Sequence, residues 1–564
     1  MRTRVPLFLV ALGFLAAPAL AEEAPPQPQK PRIVKREEVT AAESLIGLRF
    51  DDAKRDQMLS GLDEQLGHYQ KLRKVPLPNN VAPALYFNPL PTGFKPPAGK
   101  SAVKLSPPAR VEVPPELEKL AFLPLRDLAE LLRTRKVSSE ALTRMYLDRL
   151  ERFDPQLHAV ITLTRERALE QAKRADAEIA AGRYRGPLHG IPYGAKDLLA
   201  TRGIRTTWGA APYKDQVIDE DATVVERLEK AGAVLVAKLT LGELAWGDIW
   251  YGEKTRNPWN LERGSSGSSA GPGSAVAAGL VPFAIGSETL GSIVSPSSEC
   301  GVTGLRPTFG RVSRAGAMAL SWSMDKLGPM CRTVEDCAIV FDAIRGPDGK
   351  DPTVLDAPFR YAPTPRLDGL RLGYVKADFE KPSPAKANHD AVLGVLKGLG
   401  AELVPFELPP YPTDDMIIVL SAEAGAAFDE LTRSGRDELM VRQIPDAWPN
   451  AFRLSRFIPA VEYIQANRVR TLTIEDMARR MRAVHAYVTP SFGDSLTLTN
   501  LTGHPAVVVP DGFTEKGLPT SITFIGQLYA EGELLRVARA YQEKTGFHLK
   551  RPPLADPAAP RPQP

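Results

Sequence analysis

The chain has 564 residues, of which 43% are hydrophobic and 24% charged, with a formal charge of +4. That is the composition of a soluble globular protein, and a charge so small, with no basic tract, argues against a nucleic-acid partner. Cys300, Cys331 and Cys337 are too few for a disulfide framework, and seven histidines without HExxH or CxxC spacing give a metal site little support.

The N-terminus comes first in chain order. Arg2 and Arg4 precede an apolar run over 5–20 that contains Pro6 and Pro18, and Ala19-Leu20-Ala21 forms an A-x-A site before Glu22. This is the pattern of a Sec-type signal peptide over 1–21, which implies a periplasmic or secreted protein. The alternative is a membrane anchor, but the run is short for a span of about 20 residues and ends in small residues. Cleavage removes Arg2 and Arg4 and takes the formal charge from +4 to +2. No cysteine follows for lipidation, no Arg-Arg pair suggests the twin-arginine route, and no later run would keep the cleaved chain in a bilayer.

Residues 22–115 read as an N-terminal arm. Its start, 22–37, is rich in Pro, Gln and Lys and is expected to be a flexible lead-in. Residues 38–74 carry Leu45, Ile46, Leu48, Met58, Leu62 and Leu66 at helical spacing. Residues 75–115 are Pro-rich and are expected to extend over the main body, with a disordered linker as the alternative. Tyr86, Phe87 and Phe94 argue for packing.

From about residue 116 to 552 the pattern is α/β. Helices are expected at 125–132, opened by Pro124, and at 139–153, 165–181, 223–231, 274–280 and 532–545. Strands are expected at 233–238, 281–286, 370–375, 401–408, 506–510 and 522–526. Short β-branched runs alternating with helices predict a mixed, largely parallel central sheet covered by helices on both faces. Segments 351–366 and 410–468 are irregular, and such segments often carry substrate contacts. After Thr333 the sequence reads as helix, so Cys331 and Cys337 are taken as buried free thiols rather than a pair. A Pro-rich tail, 553–564, ends the chain.

Three residues stand out chemically. Lys196 lies in GIPYGAKD, in apolar surroundings that lower a lysine pKa, and the adjacent Asp197 points to the opposite face of an extended chain. By itself Lys196 reads better as a surface lysine in a turn. Ser268 lies in GSSGSSAGPGS, which lacks the GK[ST] ending of a P-loop and any GxGxxG. Ser292 follows Gly291 in a tight turn able to present a hydroxyl beside free N–H groups, although a turn-capping serine is the plainer alternative. Val294 rules out the G-x-S-x-G elbow, and nothing nominates a histidine base.

The stretch that holds these serines resembles the amidase signature family. The shared residues are SAVAAGLVPFAIG, GSI, Pro296 and CGVTGLRPT, with NPWN at 257–260, GPLHGIPYGAKD at 186–197 and TTWGA at 206–210. KAGAVLVAKLTLGEL at 230–244, SMDKLGPMCRTVEDC at 323–337 and NLTGHPAVVVP at 500–510 also fit, so the likeness runs from about 120 to 550. It implies the amidase signature fold and a Ser-Ser-Lys triad. In that triad Lys196 is the base, Ser268 the bridging serine after a cis peptide, and Ser292 the nucleophile. Backbone N–H groups of Thr289, Leu290, Gly291 and Ser292 would form the oxyanion hole. It implies no cofactor and no metal, and a small-molecule or peptide amide as substrate. The sequence departs from the family pattern at Glu288 (usually Asp), Leu290 (Gly), Val294 (Arg), Ala270 (Gly) and Pro272 (Ser). An Asp–Arg pair near the site is therefore either absent or rebuilt with another partner for Glu288. Three activities follow from the reading: an amidase, an esterase on the same triad, or a catalytically silent binding protein on the fold. Whether the arm over 38–115 covers the mouth of the site is left open by the sequence, and deleting the arm would test it.

Overall fold

The computed structural model describes residues 33–556; the expected signal peptide, most of the lead-in and residues 557–564 of the tail lie outside them. Two compact units result, one ending at Leu77 and one beginning at Pro78. The first contains helices Arg36–Ile46 and Asp52–Leu72. Gly47, at φ +68°, ends the first helix, and the Asp51 side chain caps the second by accepting from the Lys54 N–H, so the helical stretch expected at 38–74 is two helices.

The second unit is built on an eleven-stranded sheet. In chain order its strands are β1 (Val160–Leu163), β2 (Pro192–Lys196), β3 (Val234–Leu239), β4 (Phe283–Glu288), β5 (Thr303–Arg306) and β6 (Lys326–Cys331). They continue as β7 (Arg371–Tyr374), β8 (Glu402–Pro405), β9 (Ala486–Pro490), β10 (Ala506–Phe513) and β11 (Pro519–Gly526). Across the sheet the order is β8-β7-β9-β11-β10-β5-β6-β4-β2-β3-β1. The fold class is the one expected, a mixed sheet between helical layers. Its parallel pairings form two blocks, β8-β7-β9 and β4-β2-β3, and the strands between these blocks pair antiparallel.

Every residue of β2, β3, β4, β6 and β9 is buried, which requires cover on both faces of the pleat. Alternate residues of one strand indeed enter different cores: Phe283 and Ile285 join one cluster and Ala284 the other. The expected helix at 274–280 is Ala270–Ala277. Pro272 sits in its first turn, where the missing N–H costs no hydrogen bond, and a Cβ on Gly271 would lie 2.4 Å from the Ala159 carbonyl oxygen. The irregular stretch 410–468 contains short helices, among them Ile418–Ala427 and Trp448–Ser455, and runs into the long helix Ala460–Met481.

The segment that opens the second unit is stitched down along its length. Asn79 exchanges two hydrogen bonds with the Ala319 backbone, Nδ2 donating to the carbonyl at 2.9 Å and Oδ1 accepting from the amide at 2.7 Å. Phe87 packs edge-on against Phe309 at 5.0 Å, and Phe94 lies 6.2 Å from Tyr529. The Thr92 N–H and hydroxyl both donate to Glu475 Oε1, at 2.7 and 2.8 Å. Ala102–Val103 pairs in parallel with Arg360–Tyr361. Tyr86, expected to pack, is instead 61% exposed.

Candidate active site

β2 and β4 are parallel neighbours, so their C-terminal ends open on the same edge of the sheet, the position where α/β folds build sites. Lys196 is the last residue of β2, and Glu288 is the last of β4. The turn after β4 carries Ser292 into the helix Val294–Cys300, and the loop ahead of the helix Ala270–Ala277 brings Ser268. The peptide bond between Gly267 and Ser268 is cis, as the resemblance implies.

Lys196 is fully buried, and its Nζ lies 2.8 Å from Ser268 Oγ, 2.9 Å from Ser287 Oγ and 3.0 Å from Ser269 Oγ. No carboxylate touches it. Burial drives its pKa well below the ordinary lysine value, against the opposing pull of Asp325 and Glu288. Asp197 turns away as the strand alternation predicts; it pairs with Lys238 at 2.8 Å and accepts from the Thr207 N–H and hydroxyl at 2.7 and 2.6 Å. A lysine ringed by three hydroxyls is satisfied without a charge, because each hydroxyl can donate to its lone pair or accept from its N–H groups.

Ser292 lies against this cluster through its backbone, its carbonyl accepting from the Ser269 N–H at 3.1 Å. Its side chain is 8% exposed, and its hydroxyl makes no hydrogen bond among the described residues. The link from Lys196 to Ser268 is thus formed, and the one from Ser268 to Ser292 is open. The N–H groups of Thr289, Leu290, Gly291 and Ser292 likewise donate to nothing among the described residues. Gly291 adopts φ +81°, which a side chain would strain. Thr289 also donates its hydroxyl to Asp325 Oδ1 at 2.6 Å.

The next two amides are used differently. Ile293 and Val294 donate to Glu288 Oε2 at 2.8 and 2.9 Å. Oε1 of the same carboxylate accepts from Arg306 Nη1 at 2.7 Å and Asn500 Nδ2 at 2.9 Å. Glu288 has therefore found Arg306 in place of an arginine at Val294. Burial alone would raise its pKa; Arg306 and Lys326 outweigh that and hold it at about 2. Lys326 faces Glu288 across β4 and β6, and its buried Nζ has no hydrogen-bond partner among the described residues.

The structure brings the side chains of Lys196 and Ser268 together, and Ser292, in the predicted oxyanion turn, joins the cluster through its backbone. Ser269, Ser287 and Arg306 were not singled out. The serine density of the two loops was the available signal for the first two, and the arginine sits in the quoted GLRPT. No histidine hydrogen-bonds to Lys196, Ser268 or Ser292, and no cluster suited to a metal ion occurs among the described residues. A cavity of about 120 Å³ reaches Ser287 and Thr289 and is walled by Asn79, Asn80, Trp322 and Asp325.

The chain is similar to known proteins over most of its length. The family model described as Amidase matches residues 141–498. A glutamyl-tRNA(Gln) amidotransferase subunit from Moorella thermoacetica is 37% identical over 488 residues, which covers 77% of this chain and 99% of that protein. Among solved structures, the peptide amidase PAM in complex with the competitive inhibitor chymostatin superposes with a TM-score of 0.68 at 32% identity, covering 77% of this chain and 99% of that one. The native peptide amidase from Stenotrophomonas maltophilia gives a TM-score of 0.66 at 30% identity, covering 78% and 99%.

Proposed function

The chain belongs to the Amidase family and is a carbon–nitrogen hydrolase, and from that premise we propose that it cleaves carboxylic amides through an acyl-enzyme on Ser292. The observation that carries the reading is the buried Lys196, its pKa driven down by burial and its Nζ 2.8 Å from Ser268 Oγ.

Neutral Lys196 takes the proton of Ser268, and Ser268 takes that of Ser292 as the Ser292 hydroxyl rotates onto it. Hydrogen bonds of this kind often tighten only once substrate is bound. Ser292 Oγ attacks the carbonyl carbon. The oxygen that gains charge is received by the unused N–H groups between Thr289 and Ser292, donors already oriented and costing no reorganisation. The C–N bond breaks as the relayed proton passes to the leaving amine. Water then attacks the ester on Ser292, giving up its proton along the same relay, and the acid departs.

The signal-peptide pattern of residues 1–21 supports an exported enzyme. The likeness to peptide amidases supports peptide or other small amides as substrates. A second reading, that the chain works within an amidotransferase complex, has the 37% identity to the Moorella protein in its favour.

The test is a screen of amides by mass spectrometry with Ser292→Ala as control. The wild type is expected to release acid and amine, with the variant at least about 10³-fold slower, and a fluorophosphonate is expected to label Ser292. Equal turnover by the two proteins removes the acyl-enzyme; turnover confined to matched esters makes the chain an esterase.

A further inference from the structure

The loop over 315–325, which leads into β6, links the end of β2 to the oxyanion turn. Near its start the Gly316 carbonyl accepts from the Ala200 N–H at 2.8 Å, and the Met318 N–H donates to the Leu198 carbonyl at 3.0 Å. Leu198 and Ala200 lie just beyond Lys196, whose carbonyl accepts from the Leu199 N–H at 3.0 Å. At the other end of the loop, Asp325 Oδ1 accepts the Thr289 hydroxyl at 2.6 Å. Oδ2 of the same carboxylate accepts from the Leu320 and Ser321 N–H groups at 2.8 and 2.9 Å, so Asp325 ties Thr289 to the middle of the loop.

The middle of the loop is held in turn by a residue that precedes the part of the chain matched by the family model, residues 141–498. Asn79 Nδ2 donates to the Ala319 carbonyl at 2.9 Å, and its Oδ1 accepts from the Ala319 N–H at 2.7 Å. Both backbone polar groups of Ala319 are thus bonded to one side chain. From the other side Glu423 accepts from the Ser321 hydroxyl at 2.6 Å and the Ser323 N–H at 3.0 Å. A line of bonds therefore runs unbroken from Asn79 through Ala319, Leu320 and Asp325 to Thr289.

Packing does not fix this line on its own. Each of these five residues lines the cavity of about 120 Å³. A wall that faces a cavity has no protein atoms pressed against it on that side, so its hydrogen bonds decide where it sits. Thr289 is where a displacement matters. Its N–H is the first of the unused donors in the turn, and an oxyanion donor is effective only when it is aimed in advance.

Resting on the amidase reading, we infer that Asn79 is a positioning residue for that reaction: from the N-terminal segment it sets, through Ala319 and Asp325, the direction of the Thr289 N–H. It acts through the loop and makes no contact with Lys196, Ser268 or Ser292 among the hydrogen bonds of the described residues.

The experiment compares the wild type with Asn79→Ala, Thr289→Val, Thr289→Ser and the double variant Asn79→Ala/Thr289→Val, on the amide that the wild type turns over fastest. Asn79→Ala is expected to lower kcat by about tenfold or more through misplacement of the turn, with KM within about twofold. Thr289→Val keeps the N–H and the shape, loses the hydroxyl, and should do the same; Thr289→Ser, which keeps the hydroxyl, should retain most of kcat. The double variant should fall no more than about twofold below the slower single variant, because both changes cut one line, whereas independent sites would multiply their losses. Hydrogen exchange read by mass spectrometry follows the turn without turnover. Peptides covering 286–296 hold the bonded amides of Ile293, Val294 and Ser295. They should exchange faster in Asn79→Ala, while the helix Glu531–Thr545 exchanges as in the wild type. Unchanged kcat in Asn79→Ala with Ser292-dependent turnover, a loss confined to KM, or multiplied losses in the double variant each overturn the proposal and leave the amidase reading standing. Unchanged exchange over 286–296 overturns it as well, and faster exchange that extends to 531–545 does so by making Asn79 a general stabiliser. Absence of Ser292-dependent turnover for every amide, with faster exchange confined to the turn, would fault the amidase reading and not the positioning.

Discussion

At the scale of single residues, Lys196 has to stay uncharged in a site where two nearby carboxylates favour its charge. Asp325 and Glu288 both pull its pKa upward, and burial wins. The ordering follows from geometry, because the desolvation of a fully buried ammonium is large while neither carboxylate contacts it. Two consequences can be measured. Activity should fall at low pH, about tenfold per unit once Lys196 protonates, because a lysinium cannot accept the proton of Ser268; a flat acid limb refutes the neutral base. Stability should carry the same mark. Between the lowered folded pKa and the unfolded value of about 10.4, the unfolded chain binds more protons, so stability rises with pH across that window. Lys196→Met removes this dependence. The variant is expected to lose at least about 10³-fold in turnover and to melt higher than wild type at neutral pH. Melting curves recorded across pH for both proteins check this, and an unchanged pH slope in the variant would sink it.

At the scale of elements, the unit of interest is β4, the turn after it and the helix Val294–Cys300. Glu288 ends the strand and reaches forward to the first amides beyond Ser292, so one carboxylate holds the turn from its far side. Replacing it with Gln keeps the shape and leaves the Arg306 guanidinium buried without its counter-charge. The expected cost is about 3–5 kcal/mol of stability, with kcat lower by about 10²-fold through displacement of the turn and KM less affected. The Glu288 contribution is present above the ordinary carboxylate pKa of about 4.3 and is lost as pH falls toward about 2. In urea melts the gap between the two proteins should therefore narrow from pH 7 to pH 3 without closing; an equal gap at both refutes the charge network. This element also marks where the sequence stopped being legible. Lys196, Ser268 and Ser292 could be found because each sits in a dense local motif. Ser287 as a partner of Lys196 depends on the register between β2 and β4, and the pairing of Glu288 with Arg306 joins β4 to β5 with β6 lying between them. Neither register nor strand order is written in local periodicity. The antiparallel centre escaped for the same reason, although Gly517 at φ +72° in the five residues between β10 and β11 was a hairpin signal.

At the scale of the whole molecule, the question is whether the chain works alone. The M. thermoacetica relative is covered over 99% of its length by 77% of this chain, so roughly a quarter of the present sequence lies outside that likeness. Asn79 and Asn80 of the N-terminal sequence wall the cavity that reaches Ser287 and Thr289, which an enzyme recognising its own small substrate can use. Cys300, Cys331 and Cys337 are buried and unpaired, so an oxidising compartment has no exposed thiol among the described residues to attack. Export would separate the chain from cytosolic tRNA, and a self-contained site is what an exported amidase requires. The expected outcome is a fluorophosphonate-labelled protein in the extracytoplasmic fraction, with an intact mass that begins at Glu22 and close to one label per chain with no second protein added. A labelled protein that keeps Met1 and remains in the cytoplasm would reverse the export proposal. Labelling that appears only when a second protein is supplied would show that the site is incomplete in this chain, and would move the balance toward the amidotransferase reading.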